Sequence, residues 1–401
     1  MTATTPGGVS LPDATGPSDR DALRNKLLLL GVAVVALLIA GVGYLFWASG
    51  RAEEDLATRE ARAQEAIEAF ETEPDLGAAV VDESDEVEPS PEDSTTDPET
   101  ATEPLLGDGE VLVVNRVPGD DYGRLAVRHV DGTRTLLERR CLRVHIAADR
   151  GVCLARDEAV LVPAFRTEFF DLSNPDLPAL RSYSSPLPSR ARMSPDGVLA
   201  TATSFVSGSS YADIGGEAET IVTIDEVDNR RALVGLLQFE VLADDPRYNA
   251  ADRQFWGLSF EDNDRFWVTG FFGAEPELLR GSVSRRTLEL VEQPGSCPSV
   301  SPDGKHVVFK ETLPGLEEYA LVLIDTETGA QRRLGESRSV DDQVEWLDDD
   351  TILYALHPEG TEDAEAGTVQ PQFDIWMLDI ASGAEPELFL PAADSPAVLQ
   401  P

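Results

Sequence analysis

The sequence predicts an all-β protein: a six-bladed β-propeller preceded by one N-terminal transmembrane helix and an acidic stalk. Three observations predict it. A Ser-Pro-Asp-Gly turn runs into an apolar stretch twice, at Ser194–Gly197 before Val198-Leu199-Ala200 and at Ser301–Gly304 before Lys305-His306-Val307-Val308-Phe309. Weaker copies of the same unit recur along the chain. An uncharged stretch of 22 residues, Leu27 to Ala48, precedes a segment dense in Asp and Glu.

The weaker copies are Ala148-Asp149-Arg150-Gly151 before Val152-Cys153-Leu154, Glu261-Asp262-Asn263-Asp264 before Phe266-Trp267-Val268, and Leu347-Asp348-Asp349-Asp350 before Ile352-Leu353-Tyr354. Anchored at Asp149, Asp196, Asn263, Asp303 and Asp349, the steps are 47, 67, 40 and 46 residues. A four-stranded propeller blade takes about 40–50 residues. The long step is assigned to a loop around Ser207–Tyr211, within the insertion Phe205–Tyr211. A second Asp/Gly turn recurs about 20 residues after the first, at Ile324–Gly329, Leu378–Gly383 and Val130-Asp131-Gly132. Asp and Gly between alternating apolar runs signal hairpins. Each unit therefore reads as four antiparallel strands, and a ring of such sheets leaves only short edges.

Five units are complete and one is partial. The partial unit, Glu110 to Glu138, has three strand candidates and no first strand. The C-terminal segment Ser395-Pro396-Ala397-Val398-Leu399 is the candidate for that strand, because pairing the two chain ends removes an exposed edge. The count gives six blades, with seven as the alternative.

The Ser-Pro-Asp-Gly turn, the later Asp-x-x-x-Gly turn and the basic-Leu ending resemble the propeller repeat of TolB-type proteins over about 110–400. The phrases Arg190–Gly197, Phe255–Phe260, Cys297–Gly304 and Arg338–Trp346 are similar to those of actinobacterial membrane-anchored TolB-like proteins. The resemblance implies the fold and no particular activity. The chain departs from the Gram-negative TolB pattern in carrying an anchor and acidic stalk where a separate N-terminal α/β domain is expected.

About 20 apolar residues cross the hydrocarbon core of a membrane. Leu27–Ala48 meets that length, with Tyr44, Phe46 and Trp47 placed for one interface. A cleaved signal peptide is the alternative, with Ala48-Ser49-Gly50 as its site, but its apolar core is shorter. Arg24 and Lys26 lie closest to the span, so residues 1–26 are expected to be a disordered cytoplasmic tail and 108–401 an extracytoplasmic propeller. Between them, 49–107 reads as a juxtamembrane helix followed by an acidic linker. Residues 51–107 hold 19 acids and 3 basic residues, a composition that cannot bury enough apolar surface to fold.

The formal net charge is −42. That excludes a basic nucleic-acid footprint and argues against docking on anionic lipid surfaces. An acidic surface with three lysines, Lys26, Lys305 and Lys310, serves solubility first. An envelope protein is the expected partner; the sequence leaves oligomeric state open.

Among the three cysteines, Cys141 and Cys153 are the candidate disulfide, expected in an exported protein. A turn at Ala148–Gly151 places Cys153 opposite Ile146; a wider loop at His145–Asp149 brings it to Cys141. Both arrangements stay open. Cys297 reads as a buried small apolar residue. No Gly-x-Ser-x-Gly elbow, Walker pattern, His-x-x-x-His or Cys-x-x-Cys occurs, so no catalytic residues, cofactor or metal are assigned. The acidic turns Asp262-Asn263-Asp264 and Asp348-Asp349-Asp350 offer oxygens to Ca²⁺, but lack the alternate spacing of an EF-hand and read as ordinary Asx turns.

The first strand of each blade lines the central channel, and its side chains alternate. The channel candidates are Arg143 and His145, Arg190 and Arg192, Trp256 and Ser259, and Asp341, Asp342, Gln343 and Glu345, with Arg338 just before. Such arginines make either a funnel for a carboxylate or phosphate, or an Arg–Asp network that ties blades together. Three functions follow in order: a protein-binding scaffold of the cell envelope without catalysis, a ligand-binding or sensing ectodomain for a small envelope molecule, and an enzyme acting on sugars or lactones.

Overall fold

The computed structural model of the chain describes residues 105–157, 164–206, 219–229, 232–273, 275–314, 318–358 and 370–400. The expected tail, the span Leu27–Ala48, the stalk before residue 105 and most of the loop Phe205–Tyr211 lie outside the described residues. Among the described residues no helix is long and apolar enough to cross a membrane.

Among the described residues the strands assemble into six sheets, antiparallel except for one short strand at the edge of the fourth. The first blade holds β1 (Val111–Asn115), β2 (Arg124–Arg128) and β3 (Arg134–Arg140). The second is β4 (Arg143–Ala147), β5 (Arg150–Arg156), β6 (Phe165–Asp171) and β7 (Ala179–Ser185). The third is β8 (Leu187–Met193), β9 (Leu199–Phe205), β10 (Thr220–Glu226) and β11 (Ala232–Gly235). A short strand β12 (Glu240–Val241) leads to the fourth blade, β13 (Gln254–Phe260), β14 (Arg265–Phe271), β15 (Pro276–Ser282) and β16 (Thr287–Pro294). The fifth is β17 (Ser296–Val300), β18 (His306–Thr312), β19 (Tyr319–Asp325) and β20 (Gln331–Arg333). The sixth is β21 (Glu345–Asp348), β22 (Thr351–Leu356), β23 (Asp374–Asp379) and β24 (Glu387–Leu390). The last strand, β25 (Ala393–Val398), pairs with β1 in the register Val111↔Val398 and Leu112↔Ala397. The chain ends thus share one blade, as the missing first strand requires.

The core lies between blades. β1 shows why the strands read as apolar runs: Leu112 and Val114 pack against Val144, Ile146 and Phe170 of blade 2, while Val111 and Val113 pack against Leu353, Ile375 and Leu390 of blade 6. Alternate residues face opposite sides of a sheet, and both sides of β1 are covered. Four further clusters repeat this between the other neighbouring blades. Each fully buried Phe or Leu contributes about 1.5–3 kcal/mol relative to exposure.

The repeated phrase is a small hydrogen-bonded device. Ser194 Oγ donates to Asp196 Oδ1 at 2.9 Å and accepts from the Leu199 N–H at 2.8 Å. Asp196 Oδ1 also accepts from the Val198 N–H at 3.1 Å. Ser301 and Asp303 repeat these bonds with the His306 and Lys305 N–H groups, at 2.9 and 3.0 Å. Gly197 and Gly304 sit at φ +75° and +71°, the left-handed region that closes the turn. The carboxylates of the other acidic turns are spent in the same way. Asp262 accepts from the N–H groups of Asp264 and Arg265, and Asp348 from that of Asp350.

Three details differ from expectation. The long step before blade 4 is filled in part by residues 236–253, with two 3₁₀ turns, Leu236–Gln238 and Pro246–Asn249, and β12. β12 pairs in parallel with β16 and covers the outer edge of blade 4. The propeller also begins before residue 108, because Leu106 is buried between blades 1 and 2. Finally, Cys141 and Cys153 do form a disulfide, with Cα atoms 5.5 Å apart, but neither expected hairpin occurs. The β4–β5 turn is tight, Ala147 pairs with Arg150, and Cys153 lies opposite Val144 rather than Ile146. Cys141 reaches it from the link between β3 and β4.

Candidate functional site

The inner strands β25, β4, β8, β13, β17 and β21 surround the axis. Arg192 on β8 reaches across it. Its Nη2 donates to the carbonyls of Gln343 and Val344 in blade 6, each at 2.9 Å. Glu345 lies 3.6 Å from the same guanidinium and 3.4 Å from His145 Nε2. The Met193 N–H donates to His145 Nδ1 at 3.2 Å, so the ring carries its proton on Nε2, toward Glu345. The other Glu345 oxygen accepts from the Val398 N–H at 3.2 Å, so it also holds the closing strand. Burial opposes ionisation of Glu345. His145 and Arg192 outweigh it and keep the carboxyl below its ordinary range. Burial, with the like charge of Arg190 adding to it, depresses Arg192 against the pull of Glu345 and Asp342.

Gln343 ties three blades. Its amide nitrogen donates to Pro298 O at 2.7 Å and Gly257 O at 3.1 Å, in blades 5 and 4. Asp394, fully buried on β25, bridges Arg143 at 2.6 Å and Arg116 at 2.8 Å. Arg190 donates to Ser189 O at 3.2 Å and Asp341 O at 3.4 Å. These groups crowd a small cavity among the inner strands. Among Arg143, Arg190, Arg192, Asp342, Gln343 and Ser395 about 10 Å³ remains, room for one water.

The structure therefore brings Arg143, Arg190, Arg192, Gln343, Asp341 and Asp342 together around the axis. Their pairings differ from a simple Arg–Asp network. Asp342 takes main-chain donors, the N–H groups of Gln343 and Ala355. Asp341 is half exposed and pairs with Lys310 at 2.5 Å. Lys310 holds the Asp341 carboxyl down at about 2, with the charges of Arg190 and Arg143 adding to it. Arg338 is not in the channel. It forms a bidentate pair with Glu336, at 2.9 and 2.6 Å, and stacks 3.7 Å over the Trp376 ring. The link Leu334–Val344 turns before it enters β21, so proximity in sequence misplaced it. Trp256 lies on an inner strand but rests against Phe271 at 6.3 Å, away from the cavity. Cys297 is buried, at φ +51°, with its N–H donating to Thr269 Oγ1 at 2.8 Å.

Sequence reasoning missed Lys310, Arg116 and Asp394. Lys310 sits on a second strand, where alternation gives no reason to look toward the axis. It also missed the buried cluster between blades 2 and 3. There Asp225 accepts from Arg181 at 2.8 Å and from Tyr183 at 2.9 Å. Burial pushes the Asp225 carboxyl up despite Arg181.

No family model matches the chain, and no curated protein matches it. Solved structures do. TolB from Acinetobacter baumannii is 17% identical, with a TM-score of 0.50, over 73% of this chain and 67% of that one. A putative TolB from Agrobacterium tumefaciens is 10% identical, with a TM-score of 0.43, over 71% of this chain and 90% of that one. A Mycobacterium tuberculosis puromycin-hydrolyzing peptidase is 11% identical, with a TM-score of 0.42, over 71% of this chain and 43% of that one. Identities this low speak to fold and leave activity open. In its fold, the chain is a TolB-like six-bladed β-propeller.

Proposed function

We propose that this protein is a membrane-anchored, extracytoplasmic propeller that serves as a protein-binding scaffold of the cell envelope, with no catalytic step of its own. One observation carries the reading: among the described residues, the cavity lined by Arg143, Arg190, Arg192, Asp342 and Gln343 on the inner strands holds only about 10 Å³. A small molecule of ordinary size needs a pocket of about 300–1,000 Å³. What is left for recognition is the rim and the two faces of a rigid ring. The Cys141–Cys153 disulfide supports an oxidising compartment. The uncharged stretch Leu27–Ala48 supports the anchor, with the N-terminus in the cytoplasm.

The test uses intact cells. A photo-crosslinking residue is placed in turn at Val198, Val130 and Leu242, which are 49, 66 and 49% exposed. A discrete protein adduct at one face and not at the others supports a scaffold. No adduct at any position, together with a melting-temperature rise on adding a small envelope sugar or lactone, refutes it in favour of the ligand reading. A membrane-impermeant label that reaches the N-terminal tail but not the propeller refutes the orientation.

A further inference from the structure

Lys310 is a buried ammonium, its side chain 6% exposed, and its own blade gives it no carboxylate within ion-pair distance among the described residues. Its partner comes from elsewhere. Asp341 lies on the link between β20 and β21, its side chain half exposed at the mouth of the channel. Arg190 donates to the main-chain oxygen of that same residue at 3.4 Å. The charges of Arg190 and Arg143 act on the Asp341 carboxylate as well. Tyr319 supplies an aromatic face 4.5 Å from the ammonium. The Asp341 carboxylate, on an exposed link, thus pairs with Lys310 on a second strand, while Arg190 takes the main-chain oxygen of the same residue and Arg143 is paired with Asp394.

We propose that Lys310, with Arg190 beside it, forms a carboxylate-binding site at the channel mouth, that Asp341 fills it in cis, and that an acidic side chain of a protein partner takes its place. The cations are held by the blades and the anion by a link, so the anion is the exchangeable member. The space behind the mouth is about 10 Å³, so the group recognised is a carboxylate presented from outside rather than a whole small molecule. The surrounding acidity does not forbid this. Exposed charges are screened over about 8 Å at physiological salt, and the charge nearest the Asp341 carboxylate is the Lys310 ammonium. The source of the carboxylate rests on the scaffold reading above; the site itself does not.

The experiment is thermal unfolding of the full chain in potassium acetate against potassium chloride at equal ionic strength. The proteins are the wild type, D341A, D341N and D341A/K310M. D341A leaves a buried ammonium without its counterion and should melt below wild type. Acetate should restore it, by roughly 2–4 °C over chloride at about ten times the dissociation constant. Wild type, already filled, should gain less than half as much, and D341A/K310M should not respond. If D341A does not fold, D341N keeps the side-chain shape and carries the same comparison. Equal shifts in acetate and chloride, or a response in D341A/K310M matching that of D341A, overturn the site. A blocked Gly-Asp-Gly peptide should also stabilise D341A, and its Gly-Asn-Gly counterpart should not. Rescue by acetate but not by the peptide overturns the protein source alone. Failure to crosslink a partner in cells overturns the scaffold and leaves the rescue result standing.

Discussion

The two Ser-Pro-Asp-Gly turns offer a controlled comparison, because one motif sits in two surroundings. Gly197 and Gly304 share a left-handed backbone, at φ +75° and +71°. A side chain in that conformation costs about 1–2 kcal/mol, less a few tenths regained from a stiffer unfolded chain. At Gly304 nothing lies within 4 Å of an added Cβ, so G304A should lose about 1 kcal/mol and no more. At Gly197 the same carbon meets the Ala147 carbonyl oxygen at 2.8 Å and Arg150 Cβ at 3.4 Å. The oxygen is main chain, between β4 and β5 of the neighbouring blade, and cannot rotate away. Moving it adds roughly 1–3 kcal/mol, the usual range for forcing an extra methyl into packed surroundings. G197A should therefore lose about 2–4 kcal/mol. In a domain of this size that separates the two melting temperatures by roughly 3–8 °C. The assay is urea unfolding followed by tryptophan fluorescence, with calorimetry alongside. If G304A is as damaging as G197A, the blade-to-blade contact at the turn is not what constrains Gly197. If both are neutral, the turn geometry itself is wrong.

Three other outcomes follow. Replacing Cys141 and Cys153 together by Ser should cost about 2–3 kcal/mol in denaturant titration, as expected of a short loop, and reductant should do the same to wild type. R192M should cost about 3–5 kcal/mol, since it strands buried Glu345 and two carbonyls, and R192M/E345Q should recover part of it. Acid should destabilise the propeller in a defined window. The folded carboxyls of Asp303 and Asp341 are both depressed from 3.8 to about 2, so their contribution is complete above about pH 4 and is lost as pH falls toward 2. Melting temperature measured from pH 6 to pH 2 should fall less steeply through that window in D341N than in wild type.

The blade count was legible because its causes are local. A Ser that bonds the residue five places on, an Asp that bonds the residue two places on, and a Gly that turns the chain all lie within one phrase. Both faces of β1 are covered, which made Val111–Val114 apolar throughout. The need for an inner strand in the first blade pointed to the C-terminus, and β25 is there. The disulfide was half legible. Two cysteines flanking one hairpin suggested a pair, but the link before β4 makes the approach, and links carry no periodicity. The long step before blade 4 was legible only in part for a similar reason, since β12, which takes up some of it, pairs with a strand that comes after it in sequence.

The axis was legible only as a set of residues, not as a set of bonds. Strand alternation places Arg192 and Gln343 toward the centre, but they are 151 residues apart, and nothing local says which carbonyl a guanidinium will find there. Arg338 shows the cost of that gap: three residues before Asp341 in sequence, it answers to Glu336 and Trp376 instead. Lys310 shows the converse. It was counted as one of three lysines and given no role, yet it is the cation that Asp341 answers to. Closure explains both. In a ring, each inner strand has neighbours on either side and partners across, and the partners across are set by the number of blades and the twist of each sheet. The bonds that decide whether the channel is a pocket or a plug are therefore the last to be fixed by the chain. A chemistry of recognition is better sought where links such as Leu334–Val344 meet that plug than in the strands themselves.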